Sequence, residues 1–126
     1  MNIALWILQG LLAAAFLAHG VLLLVPPPDI AALMLEQLPR GFWLFLGVAE
    51  VAAAIGITLP GITRIMPRLV PAAAVGIVIV MISATIWHLM RAEWSSAVIT
   101  FVLLLMAAYV AYMRWNVVPI QSAVPT

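Results

Sequence analysis

The stretch GVAEVAAAIGITLP, residues 47–60, decides the fold because it places one carboxylate, Glu50, inside a long apolar run. The surrounding residues predict a helix in a lipid bilayer, where even the low estimates of the cost of a charged side chain are about 2.5–3.5 kcal/mol. A carboxylate at that depth requires a partner, a proton or a chemical task. His19 and His88 also lie in apolar runs and are the candidate partners.

The composition predicts a polytopic membrane protein. Of the 126 residues, 67% are hydrophobic and 7% are charged, whereas a soluble domain carries about 25% charged residues. A soluble domain of this size could not hide so much apolar surface. The net charge is only +1, without a single lysine, so no basic face for nucleic acid is expected. The absence of cysteine excludes disulfides, thiolate metal sites and dithiol redox chemistry within the chain.

Four apolar runs have the length of about 20 residues that a bilayer requires. We expect spans at about residues 3–25, 41–59, 69–90 and 94–115. The fold class predicted is therefore all-α, a four-helix transmembrane bundle that forms one domain over residues 1–115, followed by a flexible tail over residues 116–126. The first run lacks a basic n-region and a small-residue cleavage site, so it is interpreted as a retained helix and not as a signal peptide.

The segments between the spans predict one more helix and an orientation. Residues 26–40, PPPDIAALMLEQLPR, space their apolar side chains as a short amphipathic helix at the outer membrane surface would. An orientation with both termini in the cytoplasm places three arginines inside and two outside, in accord with the positive-inside rule. The inside set is Arg64, Arg68 and Arg114, and the outside set is Arg40 and Arg91.

In an up-down bundle, His19, Glu50 and His88 would meet in the outer half of the membrane. The helical rise of about 1.5 Å per residue brings His19, Glu50 and His88 to similar depths on three helices. A carboxyl group and an imidazole can share or pass a proton. We therefore expect these three as catalytic residues, and a lipophilic molecule beside them, with a quinone as the candidate cofactor. The residues expected to bind it are Thr85, Thr100 and Trp43.

Simpler interpretations of the same residues stay open. Glu50 could be a protonated carboxyl that only fixes helix packing, His19 could make a plain structural hydrogen bond, and His88 could cap its helix. Two histidines on neighbouring helices could also ligate haem iron, but no motif supports haem, and no metal site is expected.

Two segments resemble the DoxX-like family of small bacterial membrane proteins. They are GFWLFLGVAEVAAAIGITLPGITR, residues 41–64, and ATIWHLM, residues 84–90, within a resemblance that covers about residues 6–115. The shared features are a Gly-x-x-Glu motif followed by small residues and Leu-Pro, and a third helix that ends in His-Leu. The resemblance implies four helices with an extended outer loop after the first, and a place in the bacterial inner membrane.

The chain departs from the family pattern at one place, and the resemblance implies little about function. Many members carry Gly-x-x-Lys near the end of the first helix, where this chain has His19-Gly20 followed by Val21-Leu22-Leu23. A role tied to that lysine is therefore not carried over. The resemblance implies a link to thiosulfate:quinone oxidoreductases and to membrane-associated redox complexes, although most members have no assigned activity.

Three functions remain open at this point, and whether the chain is an enzyme is open with them. The first is binding of a quinone-like or other lipophilic molecule in an outer-half Glu/His pocket, in membrane redox metabolism. The second is a non-enzymatic subunit or scaffold of a larger membrane complex, or a homo-oligomer. The third is a cofactor-free acid–base enzyme, an isomerase or epoxide-opening enzyme, acting on an apolar substrate.

Overall fold

The computed structural model describes residues 2–123 and consists of helices. The four long ones are α1 (Asn2–Leu24), α3 (Arg40–Thr63), α4 (Leu69–Met90) and α5 (Trp94–Tyr112), with the short α2 (Pro28–Gln37) between the first two. A π-helical turn, Met113–Val117, extends α5. All four long helices have the length and apolar character of membrane spans. The predicted all-α membrane bundle, with a short helix after the first span, is confirmed.

The long helices run up and down around a common core. Contacts join α1 to α3, α3 to α4, α4 to α5, and α5 back to α1. The bundle therefore has two ends. At the terminal end lie the start of α1, the α3–α4 connection and the turn Met113–Val117, and at the α2 end lie α2 and the α4–α5 connection. Buried aliphatic and aromatic side chains fill the centre, among them Leu5, Leu12, Phe16, Ile57, Ile77 and Val110.

Helix α3 continues through Pro60, where the predicted span ended at residue 59. The helix ends at Thr63, and Arg64 follows it in the left-handed conformation with φ of 60°. Proline removes only one backbone donor, and membrane helices tolerate this loss because nearby hydroxyl groups and packing compensate. The Thr58 hydroxyl donates to the Ala54 carbonyl at 2.8 Å and the Thr63 hydroxyl donates to the Leu59 carbonyl at 3.0 Å, but the carbonyl that lacks the Pro60 donor is that of Gly56.

The segment after the π-helical turn lies against the α3–α4 connection. The Ala123 N–H donates to the Arg64 carbonyl oxygen at 2.9 Å, and Arg64 Nε donates to the Gln121 carbonyl oxygen at 2.8 Å. Ile120 packs against the core. The flexibility expected for residues 116–126 stays a prediction, and its last three residues lie outside the described part of the chain.

Candidate functional site

Helices α1 and α3 approach each other closely where two glycines face one another. A Cβ added at Gly20 would lie 2.9 Å from Val51 Cγ2 and 3.0 Å from the Gly47 carbonyl oxygen. A Cβ added at Gly47 would lie 2.9 Å from Leu24 and 3.0 Å from the Gly20 carbonyl oxygen. Small residues allow such close approach in membrane helices. This glycine contact positions the residues beside it, His19 on α1 and Glu50 on α3.

His19 and Glu50 form a hydrogen-bonded pair across the two helices. His19 Nδ1 lies 2.9 Å from Glu50 Oε1 and 3.1 Å from Oε2. The Glu50 side chain is only 4% exposed, whereas the His19 side chain is 56% exposed. The carboxyl group therefore lies inside the bundle and the imidazole lies at its surface, between the carboxyl and whatever surrounds the helices.

The bond to Glu50 occupies one ring nitrogen of His19 and leaves the other able to bond a further group. Nδ1 is held by the carboxyl group, and Nε2 has no hydrogen-bond partner among residues 2–123. A carboxyl group bonded to one imidazole nitrogen fixes the ring orientation, while the other nitrogen can give or take a proton. The pair is therefore arranged as a buried carboxyl group behind an accessible acid–base group.

His88 belongs to a separate group at the α2 end. Its Nδ1 is 3.0 Å from Glu93 Oε1, and Arg91 Nε donates to the same oxygen at 3.3 Å. The hydrogen bond to His88, assisted by the nearby Arg91 charge, holds the pKa of Glu93 below its usual value. The structure thus brings Glu50 together with His19, while His88 bonds to the α4–α5 connection and not to Glu50.

The other three expected binding residues make local contacts. The hydroxyl groups of Thr85 and Thr100 lie 2.9 Å apart and join α4 to α5. Each also bonds a carbonyl of its own helix. The Trp43 indole N–H donates to the carbonyl oxygens of Met34 at 2.8 Å and Leu38 at 3.1 Å, which fastens α2 to the start of α3. Within residues 2–123, no three His, Asp or Glu side chains are grouped as a metal ion would require.

Sequence reasoning missed a polar network at the terminal end. Arg114, expected near the inner end of the fourth span, is 3% exposed and donates through Nε to Gln9 Oε1 at 2.7 Å and through Nη1 to Asn2 Oδ1 at 2.7 Å. Gln9 is fully buried and its amide donates to the Ile57 carbonyl oxygen at 2.7 Å. The available signal was that Arg114 fell inside the predicted span over residues 94–115 and that Gln9 interrupted the first span near the same end.

Comparison with known proteins places the chain in a family. Searches of curated proteins and of solved structures return no match. The profile of the DoxX-like family matches residues 7–110, which include His19, Glu50 and His88 but not Arg114. Because this match covers most of the chain, the resemblance noted in the sequence is confirmed, and the protein belongs to the DoxX-like family.

Proposed function

We propose that this protein binds a quinone-like lipophilic molecule at the His19–Glu50 pair and exchanges protons with it in membrane redox metabolism. One observation carries the proposal: the buried carboxyl group of Glu50 holds Nδ1 of a His19 ring that is itself 56% exposed. The ring therefore offers Nε2 to a molecule that approaches through the bilayer.

The chemistry follows from the hydrogen bond between the pair. When a quinol hydroxyl group lies at Nε2, that nitrogen can accept its proton while the Nδ1 proton moves toward Glu50 over the 2.9 Å contact. In the opposite direction the same pair can supply a proton to a quinone. With the proton on Glu50, the imidazole and the carboxyl group are both neutral, which avoids the cost of a charge inside the membrane.

The electrons of the quinone–quinol couple pass to or from a separate redox protein in this proposal, so the chain handles protons alone. The resemblance to the DoxX-like family, which implies a link to thiosulfate:quinone oxidoreductases, is the reason for proposing such a partnership. With both termini in the cytoplasm of a bacterial cell, the α2 end faces outward and the pair lies in the outer half of the inner membrane.

A structural role for the pair is the second candidate, and the glycine contact favours it. His19 and Glu50 lie directly beside the Gly20–Gly47 approach, so their bond would fix the register of α1 on α3. In that case the chain would serve as a subunit or scaffold of a larger membrane complex.

The test is quinone binding by two matched histidine variants. Protein in nanodiscs is titrated with a short-chain ubiquinone and a short-chain menaquinone, and tryptophan fluorescence is recorded. His19→Gln retains an amide that can bond Glu50 but loses the titratable ring, while His88→Gln makes the same change in the pair that involves Glu93. We expect His19→Gln to weaken binding by about 10-fold, as the loss of one hydrogen bond to a charged group would, and His88→Gln to bind as the wild type does.

Two outcomes would refute the proposal. One is equal quinone affinity in the wild type and in His19→Gln. The other is a wild-type protein whose fluorescence responds no more than that of an unrelated membrane protein in the same nanodiscs. An unfolding titration of the same variants tests the structural role, because a pair that only fixes register would change stability without changing quinone affinity.

A further inference from the structure

A buried guanidinium at the terminal end has no carboxylate partner within residues 2–123. The hydrogen-bond acceptors around Arg114 are all neutral: Gln9, Asn2 and the Val118 carbonyl oxygen, with the guanidinium carbon 5.2 Å from the centre of a Trp6 ring. The chain has four acidic side chains, all far from Arg114 in the fold. Asp29 and Glu36 lie on α2, Glu50 lies in the middle of α3, and Glu93 lies at the α4–α5 connection.

One nitrogen of this guanidinium also lacks a hydrogen bond. Arg114 Nη2 is shielded from solvent and has no partner in the described part of the chain. Buried polar groups in folded proteins are nearly always hydrogen-bonded. Burying a charge without a counter-ion costs more free energy than burying an unbonded neutral group, because the ion also loses its hydration. Arg114 thus has both a charge and a donor that remain uncompensated.

A cavity lies directly beside this residue. It has a volume of about 220 Å³ and is walled by Arg68 and Arg114, with prolines, Trp115 and Ile120 completing it. This is several times the ~30 Å³ that one water molecule occupies in the liquid. Helix α4 begins at Leu69, so the positive end of its dipole also lies at the cavity. Two arginines and a helix start therefore border one space, in a region of the described chain without acidic side chains.

We propose that this cavity binds a phosphate group, bonded by Arg68 and attracted by the uncompensated charge of Arg114. The exposed guanidinium of Arg68 can bind phosphate oxygens through strong charge-assisted hydrogen bonds, and the buried positive charge of Arg114 favours an anion beside it. Two sources can present this chemistry at the end of a membrane bundle: the headgroup of an anionic phospholipid, or a free phosphate. The site lies at the opposite end from His19 and Glu50 and is independent of the proposed function of that pair.

The experiment measures binding of three probes to the full chain after delipidation in an uncharged detergent. The probes are dioctanoyl phosphatidylglycerol, dioctanoylglycerol, which has the same acyl chains without phosphate, and inorganic phosphate. The variant is Arg68→Gln, because Arg68 is exposed and its replacement leaves the core intact. The matched control is Arg40→Gln, the same change at an exposed arginine of the α2 end.

We expect phosphatidylglycerol to bind at least about 10-fold more tightly than dioctanoylglycerol, and Arg68→Gln to weaken that binding about 10-fold, while Arg40→Gln has no effect. Inorganic phosphate that competes with the lipid would identify free phosphate as a ligand, and failure to compete would identify the lipid headgroup. Equal binding of the two lipids, or equal affinities in Arg68→Gln and Arg40→Gln, would overturn the proposal.

Discussion

Replacing Gly20 with alanine tests whether the contact between α1 and α3 is as tight as the structure indicates. The added methyl group would lie 2.9 Å from Val51 Cγ2, 3.0 Å from the Gly47 carbonyl oxygen and 3.1 Å from the Val51 backbone nitrogen. Two of these three atoms belong to the backbone and cannot rotate away. The helices must therefore move apart, and the 2.9 Å bond between His19 and Glu50 must lengthen with them.

The size of the effect follows from two opposing contributions. Overpacking of a close contact costs about 1–3 kcal/mol. Alanine also favours a helix over glycine by about 0.8–1.0 kcal/mol in helix interiors. Gly10 lies in the same helix, and a Cβ added there meets nothing within 4 Å. The difference between Gly20→Ala and Gly10→Ala therefore isolates the clash, because the helix contribution is common to both.

The assay is equilibrium unfolding of both variants in mixed detergent micelles, followed by circular dichroism. We expect Gly20→Ala to be about 1–3 kcal/mol less stable than Gly10→Ala, and Gly10→Ala to be at least as stable as the wild type. If the two variants have equal stability, α1 and α3 are not in the close contact described, and the positioning of the His19–Glu50 pair by that contact is refuted.

Three further predictions concern other parts of the bundle. Trp43→Phe removes the indole donor that bonds two carbonyls of the α2 segment; we expect faster hydrogen exchange over residues 26–39, and unchanged exchange would show that α2 is held by other contacts. Gln9→Leu removes an acceptor from Arg114 and leaves its Nε buried without a partner; we expect a loss of about 1–3 kcal/mol in the free energy of unfolding, and a variant as stable as the wild type would refute the network's role. The lowered pKa of Glu93 stabilises the fold at pH values above its ordinary value of 4.5, and that contribution is lost as the pH falls through the lower pKa of the folded state. Stability measured against pH should therefore fall less steeply in Glu93→Gln than in the wild type over that acidic range, and identical profiles would contradict the contact with His88.

The fold was predictable because membrane spans depend on length and apolar composition, which the sequence displays directly. The helix through Pro60 was not, since a proline is expected to end a helix and the sequence does not show that this one continues past it. The depth of each polar side chain was also predictable by counting along a helix. Depth alone suggested that His19, Glu50 and His88 would all meet.

Which way each side chain faces around its helix could not be predicted. The spans are apolar on nearly all sides, so their hydrophobic pattern does not mark the inward face. The structure turns His19 toward Glu50, and it turns His88 toward Glu93, only five residues away in sequence. The burial of Arg114 escaped prediction for a related reason, because an arginine near the end of a span is expected to reach toward water.

The measurement that tests the central claim most directly is the infrared difference spectrum of the protein as a bound quinone is reduced and reoxidised. Proton exchange through the pair should change the carbonyl stretch of a carboxyl group in the wild type. The account predicts that this change disappears in Glu50→Gln and persists in Glu93→Gln, which removes the carboxyl group of the other histidine pair. A wild-type spectrum without a carboxyl change, or a change that survives in Glu50→Gln, would contradict a proton-handling role for Glu50 and His19.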